Sequence, residues 1–92
     1  MGQPSAALAI EGTISSTDAT LVSFGGIRSE SIFVENENST STGGSLLVSF
    51  DGGETFLTRT PGRNISVDVQ RNDVYLKASS ATPVVYSILV LH

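Results

Sequence analysis

The chain has no cysteine, no tryptophan and a single histidine among its 92 residues. Without cysteine, neither disulfides nor thiolate metal sites can reinforce a thin core, and no thiol nucleophile exists. The histidine is His92, the last residue, where an acid–base catalyst would be supported from one side only. No Gly-x-Ser-x-Gly elbow surrounds any serine, and the carboxylates are spread singly along the chain. These absences argue against an enzyme, and they lead us to expect no cofactor and no metal centre.

Charge is also scarce, at 15% of residues. Five basic side chains (Arg28, Arg59, Arg63, Arg71, Lys77) stand against nine acidic ones, for a net charge of −4. The basic residues are scattered, so no stripe is available to neutralise a phosphate backbone, and nucleic acid is not an expected partner. The longest apolar run, residues 83–91, is interrupted by Tyr86 and Ser87 and falls well short of a helical membrane span, so no membrane partner is expected either. Met1-Gly2-Gln3-Pro4 lacks a basic n-region, and residues 6–10 are too short for a signal-peptide core. Gly2 followed by Pro4, with no basic support, is a poor myristoylation signal.

Helical periodicity is missing too. Serine, threonine, valine and glycine dominate, and short apolar segments alternate with turn residues. The clearest stretch is SLLVSFDGGETFLTRTPG, residues 45–62. Asp51-Gly52 between alternating apolar residues predicts a hairpin, and Pro61-Gly62 predicts a type II turn. The pattern predicts a meander that reverses about every ten residues. Ile65, Val67 and Val69 alternate with polar partners, as do Val74, Leu76 and Ala78. Ile32 and Val34 are predicted on one face, Phe33 and Glu35 on the other. In the last strand Val84, Tyr86, Ile88 and Val90 share one face, with Val85, Leu89 and Leu91 opposite.

Residues 6–10 and 20–24 are candidate strands separated by the Ser/Thr-rich residues 13–17. Residues 1–26 are therefore set apart as an amino-terminal segment or arm, with 27–92 as the main domain. Residues 38–44 form a polar loop. The expected fold is all-β: a small antiparallel β-sandwich or jelly-roll-like barrel of seven or eight short strands.

Other motifs have plainer readings. Asp51-Gly52-Gly53-Glu54 offers two carboxylates where a calcium loop needs ligands across about twelve positions, so the turn reading is preferred. Glu35-Asn36-Glu37-Asn38 reads as a solvated strand end. Asn38-Ser39-Thr40 and Asn64-Ile65-Ser66 match the glycosylation sequon without a leader to give it meaning. Of six aromatic residues, Tyr75 is the one candidate for a contact surface.

The order LLVSFDGGETF, Pro-Gly, ISVDV, DVYLKASS and VVYSIL, preceded by Phe33-Val34-Glu35-Asn36 and a Ser/Thr-rich loop, resembles small all-β structural proteins of tailed bacteriophages. The resemblance covers about two-thirds of the chain and leaves out residues 1–26. It implies a non-enzymatic virion protein, made in the host cytoplasm. A decoration or cement protein on the capsid exterior is the first expectation, with the major capsid protein or another virion protein as partner. Shell symmetry makes a homotrimer the natural guess. A tail, neck or fibre component, or a carbohydrate-binding module for host glycans, are the alternatives. Mean hydropathy of +0.14 with so few charges favours association. The expected contacts are Leu8 and Ile10 in the amino-terminal segment and the outward apolar residues Leu47, Tyr75, Val85, Leu89 and Leu91.

Overall fold

The computed structural model describes residues 6–39 and 43–92. Met1-Gly2-Gln3-Pro4 and positions 40–42 of the polar loop lie outside the described residues. Eight strands follow one another along the chain: β1 (Ala7–Ile14), β2 (Thr20–Ser23), β3 (Ser31–Asn36), β4 (Leu46–Ser49), β5 (Leu57–Arg59), β6 (Asn64–Val67), β7 (Asp73–Ala78) and β8 (Val84–Leu91). They form two four-stranded sheets, ordered β1-β8-β3-β6 and β2-β7-β4-β5, and every pairing is antiparallel. This is the jelly-roll arrangement of two sheets, and the all-β expectation holds.

The meander does not. Among the described residues, β4 and β5 are the one pair of consecutive strands that are also neighbours in a sheet. Every other connection carries the chain from one sheet to the other. Local turn chemistry specified the bends but not their destinations. Thr60-Pro61-Gly62-Arg63 is a type II turn: the Arg63 N–H donates to the Thr60 carbonyl at 3.0 Å, and Gly62 has φ of 83°. That turn joins β5 in one sheet to β6 in the other. Gly52 and Gly53 adopt positive φ as the Asp-Gly signal requires, but within a longer loop spanning residues 50–56.

The described part of the amino-terminal segment, residues 6–26, contributes one strand to each sheet. β1 is an edge strand of the first sheet and β2 an edge strand of the second. β1 also extends through Thr13 and Ile14, into what the sequence marked as a separator.

Alternation fills the space between the sheets. Ile32, Val34, Val84, Ile88 and Val90 from the first sheet meet Leu46, Val48, Val74, Leu76 and Ala78 from the second, all buried. Each such side chain withdrawn from water contributes about 1.5–3 kcal/mol before entropy is subtracted. Phe24, between β2 and β3, closes the core.

Three polar residues are buried as completely: Ser29, Asn36 and Ser49. Asn36 ends β3, and its side-chain N–H groups donate to the carbonyls of Gly44 and Arg59, both at 3.0 Å. Its Oδ1 accepts the Asn38 N–H at 3.1 Å. Its backbone N–H donates to the Arg63 carbonyl, and its carbonyl accepts the Gly62 N–H, both at 2.9 Å. The side chain thereby ties the end of β3 to the approach to β4 and the end of β5.

Asn36→Ala should strand two partly buried carbonyls and cost about 1–3 kcal/mol in urea unfolding. Asn36→Asp should be worse at neutral pH, because a carboxylate cannot donate to either carbonyl.

Candidate docking face

The two sheets present different outer faces. On the second sheet, Leu21, Tyr75 and Ser49 lie in one row of the ladder, and Lys77, Leu47 and Thr58 in the next. Ser49 points outward by alternation, yet it is fully buried because the 50–56 loop returns over it. Its Oγ donates to Asp51 Oδ1 at 2.7 Å and accepts the Gly53 N–H at 2.9 Å. Gly53 in turn rests near the Tyr75 ring. Lys77 Nζ stands 4.2 Å from the centroid of the Phe56 ring, a cation–π contact.

The same Asp51 oxygen accepts the Thr55 N–H at 2.9 Å and the Glu54 N–H at 3.1 Å. Donors that favour the charged form, with the Thr55 amide the strongest, pull the Asp51 carboxyl from its usual 3.8 to about 2. The carboxylate is committed to organising its own loop rather than to holding a cation.

The outer face of the first sheet has no such cover among the described residues. Its ladder places Ala7 beside Leu91 and Ser31, and Ala9 beside Leu89, Phe33 and Ser66. Glu11 comes beside Ser87, Glu35 and Asn64, and Thr13 beside Val85. A shallow groove of about 210 Å³ runs across it, lined by Ala9, Glu11, Phe33, Glu37, Ser87 and Leu89 among others. Val85 is 43% exposed and Leu89 36%. The face thus carries an apolar belt of Leu91, Leu89 and Phe33, with Glu11, Glu35 and Glu37 grouped toward one end. None of its outward ladder positions is basic.

The expected contact residues separate into three groups. Val85, Leu89 and Leu91 lie together on this open face. Leu47 and Tyr75 point outward on the opposite sheet, half-buried. Leu8 and Ile10 face inward and pack against the core. β1 is a ladder strand whose odd-numbered residues face solvent, so Leu8 and Ile10 lie away from the outer face, partly buried at the edge of the sheet. Sequence reasoning missed Ala9 and Phe33 as groove residues. Phe33 was legible, since it alternates with Ile32 and Val34. Ala9 carried no signal until its pairing with Leu89 was visible.

Other candidates have structural employment. Asn38 donates its amide to the Pro83 carbonyl at 2.9 Å and accepts the Val85 N–H at 2.9 Å, so its sequon nitrogen is engaged. His92 pairs through its backbone with Ala6, at 2.9 and 3.0 Å. Among the described residues, no group of three or more His, Cys, Asp or Glu side chains could hold a metal ion.

No protein-family model matches the sequence, and none of the curated proteins does either. Solved structures do share the fold. An HTH_3 family transcriptional regulator from Vibrio cholerae superposes with a TM-score of 0.65 at 16% identity, over 94% of this chain and 43% of the regulator. The chain therefore spans less than half of that protein. The Cupin_2 domain of an XRE family transcriptional regulator from Enterobacter cloacae gives 0.65 at 14% identity, over 91% of this chain and 79% of the domain. A de novo designed double-stranded β-helix gives 0.57 at 15% identity, over 88% and 95% respectively. Likeness at such identities establishes architecture alone.

The depressed Asp51 pKa gives a pH signature. Its contribution to loop order is complete above the ordinary carboxylate pKa and is lost as pH falls from about 4 through about 2. Hydrogen exchange at the Thr55 and Glu54 amides should accelerate relative to core amides across that window, and Asp51→Asn should flatten the transition.

Proposed function

We propose that this chain is a non-enzymatic structural protein that attaches to a larger assembly through the outer face of its first sheet. In line with the resemblance to tailed-phage structural proteins, we assign that assembly to the virion, and the site to the capsid exterior as a decoration protein. The partner is then the major capsid protein or a neighbouring virion protein. The observation that carries the reading is the asymmetry of the faces. The 50–56 loop covers the Ser49 end of the second sheet and leaves Leu21 exposed at its edge, whereas Leu89, Val85, Leu91 and Phe33 stand together on a sheet with no covering loop among the described residues.

An apolar belt bounded by carboxylates suits a protein partner. Burying it recovers about 25 cal/mol for each Å² of apolar surface withdrawn from water. Laid across a seam between capsid subunits, that free energy opposes their separation. The carboxylates at one end of the belt fix orientation by favouring a partner with basic residues there.

Two other readings draw less support. Transcriptional regulators share the fold, and a regulatory reading would call for a ligand cavity between the sheets, but here that space is filled by aliphatic side chains, Ile32, Val34, Leu46, Val48 and Leu76 among them, fully buried. Glycan recognition needs aromatic rings offered to sugar faces. The Tyr75 ring lies near Gly53 and the Phe56 ring beneath Lys77, so among the described residues the open groove offers one aromatic ring, Phe33, rather than a platform of several.

An image reconstruction of the assembled particle tests the proposal: the first sheet should face the shell, with the 50–56 loop outward. Leu89→Asp should weaken attachment to undecorated shells at least about tenfold while leaving the thermal midpoint nearly unchanged. Density for the chain on the tail, or equal attachment by the variant, would overturn the assignment.

A further inference from the structure

The four sheet edges of this sandwich are unequal. β2 and β6 have four residues each and β5 has three, the last followed directly by Thr60-Pro61. Short edges and a nearby proline are ordinary means of discouraging further pairing. β1 is different. It has eight residues, ALAIEGTI, with no proline, no lysine or arginine, and one charged side chain, Glu11. Opposite ladder positions alternate between pairs that exchange hydrogen bonds and pairs that do not. Ala6 and His92 exchange both backbone bonds, so Leu8, Ile10, Gly12 and Ile14 are the residues of β1 that bond to β8. The N–H and C=O groups of Ala7, Ala9, Glu11 and Thr13 therefore point away from the sheet, along an edge with no strand beyond it among the described residues.

From this edge we infer that β1 pairs antiparallel with β1 of a second copy, about a two-fold axis through Ile10, joining two first sheets into one continuous sheet. The occupant follows from the strand's self-complementarity. With Ile10 opposite its own copy, Ala9 lies opposite Glu11, Ala7 opposite Thr13, and Leu8 opposite Gly12. The overlap then uses the whole strand. Each outward-pointing backbone group meets a partner, as an isologous contact requires.

Neighbouring registers are poorer. Centring on Glu11 places two carboxylates directly opposite each other, which is unfavourable. Centring on Ala9 runs past the start of the strand. The Ile10 register also covers apolar surface that a lone copy leaves wet, because Leu8 and Ile10 face inward but are only partly buried. Across the axis each pair gains the corresponding pair as neighbours. The outward side chains Ala7 and Ala9 are too small to obstruct the approach.

This association uses the edge of the sheet and leaves its outer face free, so it does not depend on the capsid assignment. A contact of this kind closes with two copies.

Sedimentation of the full chain provides the test. The wild type should be dimeric at micromolar concentration, and more so at higher salt, because the two Glu11 carboxylates lie diagonally across the axis. Ala9→Pro removes an N–H that the β1–β8 ladder does not use, so it should give a folded monomer with at least a tenfold rise in dissociation constant. Should that variant fail to fold, Ala9→Glu serves the same purpose, because in this register it sets a carboxylate directly opposite Glu11 of the other copy on both sides of the axis.

Ile10→Cys gives an independent reading of the register. Opposite residues of a non-hydrogen-bonded pair lie about 4.5 Å apart at Cα, within reach of a disulfide, and the chain has no other cysteine. Mild oxidation should therefore yield a covalent dimer. A wild type that stays monomeric at hundreds of micromolar, a dimer unaffected by both Ala9 variants, or an Ile10→Cys dimer that fails to cross-link would each overturn the pairing.

Discussion

A chain that passes repeatedly between two sheets must satisfy its backbone polar groups each time it leaves a dry interior, and Asn36 meets that constraint at one end of this sandwich. Its side chain reaches two carbonyls on separate segments, and its backbone bonds across to the type II turn. The end of β3, the entry to β4 and the β5–β6 crossing are therefore held by one residue. A buried amide is stabilising only when its donors and acceptor are all engaged, and here they are. Ser29 serves a comparable purpose between β2 and β3. Its hydroxyl donates to the Val69 carbonyl and accepts the Arg71 N–H at 3.0 Å, tying that connection to the β6–β7 crossing.

Ser49 belongs to the same set and explains the difference between the two faces. By hydrogen bonding Asp51 and Gly53, it folds the 50–56 loop back over the second sheet, so a position that alternation assigns to solvent becomes dry. Part of the surface that elsewhere would seek a partner is covered from within, with Leu21 left exposed at the edge of the sheet. The first sheet has no equivalent loop, and its apolar belt stays open. The proposed docking face and the proposed copy-to-copy edge belong to one sheet but use different groups: side chains for the first, backbone for the second.

Much of this was legible in the sequence, and the remainder was not for identifiable reasons. Period-two alternation named the buried residues of β3, β7 and β8, since Val74, Leu76 and Ala78 or Val84, Ile88 and Val90 have nowhere else to go. Pro61-Gly62 announced its turn type. A turn motif, however, encodes only a reversal of direction, and whether the chain returns to the same sheet depends on contacts remote in sequence. Hence the jelly-roll class was legible, whereas the expected meander connectivity was not what formed. The inward set of β1 was hidden for a related reason: in a short segment with few polar residues, the sequence does not say that Leu8 and Ile10 face inward until β8 fixes the register. Asn36 resembled a solvated strand end because its neighbours are charged, and nothing local marked its amide as buried.

The backbone bonds between Ala6 and His92 have a further consequence. Because they bring the two ends of the described chain together, a polypeptide fused at either end would emerge from the same rim. The ends could be joined by a short linker and the chain reopened at a surface loop without disturbing the sheets. The same nearness would let the fold sit as an insert within a loop of another protein, entering and leaving at a single point.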